Sequence, residues 1–361
     1  MTNTITAAMA IDLQLFATQT TTTGAANSDP TKWGGSGLTP EMKTFYDMTL
    51  IDEAGPQLVH EQFGQKRNIP KNGGKKIEFR KFSPLGKALT PLTEGVTPSG
   101  NALDVKTIEA TVSQYGDFIV QSDLLELTAI DNTIVEATRL LGQQAGLTLD
   151  TVVRNVLNAG TNVSYCPKIS SGTETAVTSR SGLDLTAQLT VDMVQQVVAK
   201  LRAQNAPTFS DGKYVAIIHP YVAYDLMRDP EWIDAHKYAQ PENLYNGEIG
   251  SIAGVRFCQT SEAKIWNDST CPVHSSSDPK TYYSVFSTLF FGRDAYGTTE
   301  VEGGGLETFV TQKGSAGTAD PLSQRSSVGW KALKTTTILV PSYLVRVESC
   351  SKRYSANAAA N

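Results

Sequence analysis

The sequence has no apolar run approaching the roughly 18–20 residues that a membrane span requires, so no transmembrane helix is expected. Met1–Ala17 lacks the basic start of a secretory signal, and export is not expected either. Cysteine is scarce: Cys166, Cys258, Cys271 and Cys350 are the only four, with no CxxC pair among them. That is no disulfide framework for 361 residues, and it suits a reducing cytosol. Charged residues make up only 19%, and the net charge is −5. A protein that grips phosphates carries the opposite sign, so any contact with nucleic acid is expected to be local and non-specific, without reading of sequence.

Catalytic motifs are missing too. A phosphate loop needs a glycine, four residues, then Gly-Lys-Ser/Thr; here Gly74–Lys75 is followed by Lys76, and Ile69 stands where the first glycine belongs. Gly303, Gly304 and Gly305 lack the Gly-x-Gly-x-x-Gly spacing and read as a mobile loop. Gly34–Leu38 misses the nucleophile elbow. A structural zinc site wants two close ligand pairs, and Cys271 with His274 is the only one, Cys258 standing apart. His219, before Pro220, and His236 read as turn caps. Asp225 and Asp229, one helical turn apart, read as helix end and turn start beside Pro230. No catalytic, cofactor-binding or metal-binding set is expected, and no enzyme.

What remains is a foldable chain, 40% hydrophobic, long enough for two or three cores and rich in turns, with 29 glycines and 16 prolines. Residues 1 to about 40 read as a polar tail, with an amphipathic helix over Ile5–Phe16 that puts Met9, Leu13 and Phe16 on one face. Glu61–Lys87 carries eight basic residues against Glu61 and Glu78; Glu94–Asp150 carries nine acidic residues against Lys106 and Arg139. Each block taken singly reads as a solvated face; as a neighbouring pair of opposite sign they also suit head-to-tail contact between copies. Lys76–Phe82 and Val105–Val120 alternate as strands and predict a two-stranded flap with a tip poor in apolar residues.

Thr133 with Glu136 makes a capping box, and Ile134, Ala137, Leu141, Ala145, Leu149, Val152 and Val156 give a long helix one apolar stripe, closed by Asn158 and Gly160. Ser164–Thr186 reads as a connection. Thr190 caps a second helix through Leu201, Tyr214–Ile218 is a buried strand, and Pro220 opens a helix through Met227. Further strands are predicted at Val255–Gln259, Tyr282–Phe291, Leu306–Val310, Thr337–Val340 and Tyr343–Glu348. Helices and strands mix without a regular βαβ repeat, so the fold class is α+β.

Three groups of segments carry a resemblance. One is Leu92-Thr-Glu-Gly-Val-Thr-Pro98 with Tyr115-Gly116. The second is Ile217-Ile-His-Pro220, Asp225-Leu226 and Gly247–Phe257. The third is Phe291–Gly297, Ala319–Leu322 and Val328-Gly-Trp-Lys331. In this order they resemble the major capsid proteins of tailed double-stranded DNA phages with the HK-ninety-seven-type fold, in the branch of the N-four coliphage. Asp12–Ala17 is similar to the opening of many phage capsid and scaffold proteins.

The resemblance implies an N-terminal arm (1–60), an extended β-hairpin loop (61–120), a peripheral domain with a long spine helix (121–184), an axial domain (185–330) and a C-terminal return to the peripheral domain (331–361). It implies self-assembly into pentamers and hexamers of an icosahedral or prolate head, with scaffolding, portal and decoration proteins as partners. It places the chain in the virion after assembly in the host cytoplasm. On that picture Lys75, Lys76, Arg80 and Lys81 lie over the acidic shoulder of a neighbouring subunit. The rival readings are an encapsulin-like shell around cargo enzymes, an enzyme with an unrecognised site in the axial domain, a tail or baseplate protein, and, least favoured, a DNA-binding regulator.

Overall fold

Every residue of Val285–Phe291 is buried, and so is every residue of Tyr214–Ile218. Strands with no exposed face belong inside a sheet covered on both sides. The two pair antiparallel, and Val285–Phe291 pairs with Leu344–Cys350 on its other edge. The sheet runs Glu248–Ile252, Val255–Gln259, Tyr214–Ile218, Val285–Phe291, Leu344–Cys350, Val163–Tyr165, with Ile265–Trp266 joined to Val285–Phe291. Alternate side chains feed two cores. Tyr214, Ala216, Phe286 and Phe290 meet Val194, Val198 and Leu201 of helix Val191–Ala203 and Val222 and Leu226 of helix Pro220–Met227. Val215, Ile217, Leu289 and Phe291 meet Val59, Phe63, Val153 and Leu157. Thr190 caps the first helix as expected, its Oγ1 accepting from Met193 N at 3.3 Å.

The computed structural model describes residues 20–21, 59–70, 74–82, 85–92, 94–97, 100–128, 133–170, 172–236, 248–275, 278–301, 306–311, 322 and 324–361. The helix expected over Ile5–Phe16, most of the arm and the run Gly303–Gly305 lie outside these. The chain forms two units: Met1–Glu53 with Gln114–Ala145 and Leu306–Ala332, and Ala54–Ser113 with Gly146–Gly305 and Leu333–Asn361. The second holds the sheet above. In it Tyr296–Val301 also pairs in parallel with Gln65–Ile69 and antiparallel with Lys334–Ile338. In the first, Glu307–Thr311 pairs antiparallel with Ser327–Lys331 of the strand Arg325–Ile338, Ser113–Ser122 is bonded to that strand, and Thr20–Thr21 pairs in parallel with Val120–Gln121. Among the described residues no helix is long and apolar enough to cross a membrane.

The long helix spans Thr133–Asn158, as its periodicity predicts. Its buried residues differ from a single stripe. Ala137, Leu141 and Ala145 are buried as expected, but beyond them Asp150, Val153, Arg154 and Leu157 are, while Leu149, Val152 and Val156 are only partly so. At 3.6 residues per turn the two sets fall on different faces. The second is anchored by polar contacts that an apolar pattern cannot register. His60 N and Nδ1 lie 2.9 and 2.7 Å from the two oxygens of Asp150, and Arg154 Nη1 donates to Glu262 O at 2.9 Å. Glu136 pairs with Arg139 at 3.2 Å.

The expected flap strand Val105–Val120 divides at Val112. Val105–Thr111 stays in the hairpin with Lys76–Phe82, and Ser113–Ser122 joins another sheet. Val112 itself is buried, its N–H donating to Lys75 O at 3.0 Å. The expected connection Ser164–Thr186 holds a small hairpin, Lys168–Ser170 with Thr173–Thr175, which carries almost no apolar pattern to read.

Glu348, fully buried in the sheet, is matched by a fork. Arg180 Nε and Nη2 donate to its two oxygens at 2.7 Å each, Arg346 Nε lies 3.0 Å from Oε1, and the Arg180 guanidinium stacks 3.8 Å from the Trp266 ring centroid. Removing Arg180 would leave the buried Glu348 with Arg346 alone and one oxygen without its donor. Arg180→Ala is therefore expected to lower subunit stability by about 3 kcal/mol in urea denaturation. Arg180→Lys should recover little, since an ammonium cannot bind both oxygens as a fork; an unchanged midpoint in Arg180→Ala would refute this role for the pair.

Candidate inter-subunit contact surface

The hairpin that carries the sequence-predicted contact residues is in register from Lys76 opposite Thr111 to Phe82 opposite Val105. Side chains alternate across a strand, so the hairpin has two dissimilar faces. Ile77, Phe79, Ile108 and Ala110 pack on Leu339, Val340 and Tyr343. Gly297 lets this happen: a Cβ there would stand 2.9 Å from the Phe79 ring. The other face, with Lys76, Glu78, Arg80, Thr107, Glu109 and Thr111, is exposed throughout.

This alternation separates the four predicted residues. Lys76 and Arg80 share the exposed face. Lys81 is on the packed face, half-buried, its Nζ 6.0 Å from the Tyr343 ring centroid, and Lys75 precedes the strand with the parity of Lys81. On the exposed face Lys76 Nζ donates to Glu109 Oε2 at 2.9 Å. The hydrogen bond and charge of Glu109 hold the Lys76 ammonium above its usual value, with Glu78 adding to it. Exposed pairs of this kind are screened and contribute little to stability. With Glu78 opposite Glu109, the face presents two bases and two acids, an alternating pattern of sign and not a uniform basic patch.

The acidic block is likewise partly consumed within the chain. Asp150 is buried against His60, and Asp117 Oδ2 accepts from Gln144 Nε2 at 2.7 Å. Asp123 Oδ1 accepts from Leu124 N at 2.7 Å. Asp150 thus drops out of any acidic contact face.

The sequence reading missed the apolar content of the tip, which was expected to be poor in it. Leu85, Leu89, Leu92, Val96 and Leu103 are 58–81% exposed, and Phe82 beside them is also exposed. Five large apolar side chains in one excursion form a surface of the kind that marks protein contact. The signal was present as leucines at 85, 89 and 92, but the prolines and glycines around them drew the segment into a turn-rich reading.

The phage capsid protein family matches the sequence over residues 14–315. No curated protein matches it. Among solved structures, the capsid of cyanophage P-SCSP1u is similar at 14% identity, covering 88% of this chain and 95% of its own, with a TM-score of 0.63. The capsid of Ralstonia phage GP4 is similar at 13% identity, covering 93% and 100%, with a TM-score of 0.62. The SrpI encapsulin complex from Synechococcus elongatus is similar at 9% identity, covering 89% and 97%, with a TM-score of 0.53.

The residues weighed for chemistry have structural roles where the structure describes them. Cys258 and Cys271 belong to different cores, and His274 packs on Tyr283 at 4.6 Å between ring centroids. Among the described residues no group of three His, Cys, Asp or Glu is placed to hold a metal ion. Asp229 accepts from Val191 N and Glu231 N, as a turn-starting residue does. Asp225 instead ties down the C-terminal segment, accepting from Ser351 Oγ at 2.6 Å and Lys352 N at 3.2 Å. The side chain of His236 lies outside the described residues.

His219 caps helix Pro220–Met227, its Nδ1 accepting from Tyr221 N at 3.1 Å. Burial pushes its pKa down to about 4. An unfolded histidine titrates near 6.5, so the unfolded chain binds the extra proton first. Stability from this site is complete above that value and is lost as pH falls from about 6.5 to about 4, by roughly 3 kcal/mol. His219→Asn, which keeps a capping oxygen, should flatten that part of the stability-against-pH curve; an identical slope in the variant would contradict the assignment.

Proposed function

The chain belongs to the phage capsid protein family and is a structural component of the virion, and on that premise we propose how it builds a head. It is the major capsid protein of a tailed, double-stranded DNA phage, of the HK-ninety-seven type and the N-four branch. Copies assemble in the host cytoplasm into pentamers and hexamers that close an icosahedral or prolate shell. The parts are the arm (1–60), the extended loop (61–120), the peripheral domain (121–184), the axial domain (185–330) and the C-terminal return (331–361). Scaffolding and portal proteins are its assembly partners, with decoration proteins a further class. Packaged DNA touches the shell without sequence preference, since a subunit of net charge −5 has no surplus of cations for tight phosphate binding.

The observation that carries the assembly reading is the hairpin. Its root is seated on its own chain through Phe79 and Ala110, while its tip exposes five large apolar side chains. A two-stranded ribbon is marginal alone, and a second copy supplies the missing cover. In this reading the charges of Lys75, Lys76, Arg80 and Lys81 set register against a neighbour's acidic residues, and the apolar tip supplies the burial. The fold likeness to an encapsulin complex favours a second reading, a shell of the same fold around cargo enzymes. Nucleic acid inside purified shells would separate the two.

Replacing Lys75, Lys76, Arg80 and Lys81 by glutamate should abolish closed shells in negative-stain electron microscopy while circular dichroism shows a folded subunit. Regular shells from that variant would sink the charge contact. Leu89→Asp with Leu92→Asp should block closure as well; shells from this second variant would remove the tip from the contact.

A further inference from the structure

The hairpin of Lys76–Phe82 with Val105–Thr111 seats one face on its own chain through Phe79 and Ala110, and its other face is exposed throughout. On that exposed face the first strand presents Lys76, Glu78, Arg80 and Phe82, and the second sets Thr111, Glu109, Thr107 and Val105 opposite them. Lys76 is answered within the chain by Glu109 at 2.9 Å. Glu78 and Arg80 are not: among the described residues neither has an ion pair. Phe82 is 61% and Val105 43% exposed, so the charged stretch ends on an apolar one.

This pattern is its own complement. Residues two apart share a strand face, and Glu78 and Arg80 are such a pair, centred on Phe79. Let a second hairpin lie face to face with the first, turned about a twofold axis that crosses the strands at the level of Phe79 and Ile108. Each strand then runs antiparallel over its own copy. Glu78 meets the partner's Arg80, and Arg80 meets the partner's Glu78. Lys76 comes over the ring of the partner's Phe82, a cation on an aromatic face. On the second strand Glu109 meets the partner's Thr107, and Thr111 the partner's Val105. Other levels serve less well. With the axis at Glu78, Glu78 and Glu109 would each face themselves and Arg80 would face Lys76; with the axis at Arg80, Arg80 would face itself. Like charges set against one another in this way are what suppresses a wrong register. With the axis at Ile77, Arg80 falls opposite Gly74, outside the strand. The level of Phe79 answers both open charges.

We propose that the exposed hairpin faces of two copies of this chain stack about such a twofold axis, with Glu78 and Arg80 forming two equivalent ion pairs across it. The proposal rests on the reading that the hairpin contacts a second copy, and it names the acid that Arg80 meets. A contact in which one patch serves both partners is isologous and closes on itself. The face is small: seven residues at about 3.3 Å each, on two strands about 4.8 Å apart, cover roughly 200 Å². A stable pair buries about 800 Å² on each partner. The contact is therefore too small to pair free subunits. It acts inside an assembly, where other contacts hold the copies together and raise their effective concentration. There it sets register more than it adds affinity.

The test uses full chains carrying either Glu78→Arg or Arg80→Glu. Each variant alone sets only like charges across the axis, and its yield of closed shells in negative-stain electron microscopy should fall about tenfold, with circular dichroism unchanged. Produced together, the two variants should restore the parent yield, because every contact between unlike variants regains two pairs of opposite charge. Mixing alters nothing within either chain, so recovery reports a contact between chains. The recovered shells should hold the two variants in equal number by mass spectrometry, even when one is produced in excess; incorporation that follows the production ratio would overturn the twofold pairing. Impaired shells from each variant without recovery on mixing would also overturn it, while leaving a hairpin contact with some other acidic site in place. Normal shells from either variant alone would overturn it too, and the broader charge contact would then be judged by its own four-residue variant.

Discussion

A sheet with no free face governs the second unit. Val285–Phe291 and Tyr214–Ile218 are covered on both sides, so a polar group left unpaired there is costly. Ser287 Oγ meets Asn158 Oδ1 at 2.6 Å, and Asn158 Nδ2 donates back to Arg154 O at 2.8 Å. The end of the long helix is thereby bonded into the middle of the sheet. Glu348, in the next strand, has its two arginines for the same reason. Strands covered on both sides within the unit have no face left to offer a partner.

The elements of the chain were legible in uneven measure. The strand Lys76–Phe82 stood out because alternation is strict and its partner is close in sequence. Helix Thr133–Asn158 stood out because its spacing persists for many turns. The face each residue takes within these elements was harder. Asp150 read as part of an acidic surface because its partner, His60, is 90 residues away and reaches it only through the fold. The pairing of Arg180 with Glu348, 168 residues apart, left no local trace at all. Strand Gln65–Ile69 escaped because only Ile69 in it is buried; its place is set by the ladder of Tyr296–Val301 and not by its own pattern. Grouping Lys75, Lys76, Arg80 and Lys81 by sign ignored strand parity, which puts Lys76 and Arg80 on one side and Lys81 on the other.

Fold and family answer different questions here. The same α+β architecture is shared with phage heads and with an encapsulin complex at 9–14% identity, where the likeness speaks for the fold alone. The family match over residues 14–315 is what assigns the chain to phage capsids. Within that assignment the chemistry of the described histidine, aspartate and cysteine side chains is put to shape: a cap at His219, a tie at Asp225, packed thiols in the cores.

The register of the hairpin sets Lys81 directly opposite Lys106. Like charges in that position repel across the strands, and near a protein surface the repulsion reaches about 10 Å at 0.1 M salt and about 30 Å at 0.01 M. The repulsion across the hairpin therefore weakens as ionic strength rises, while its apolar seat at Phe79 does not change.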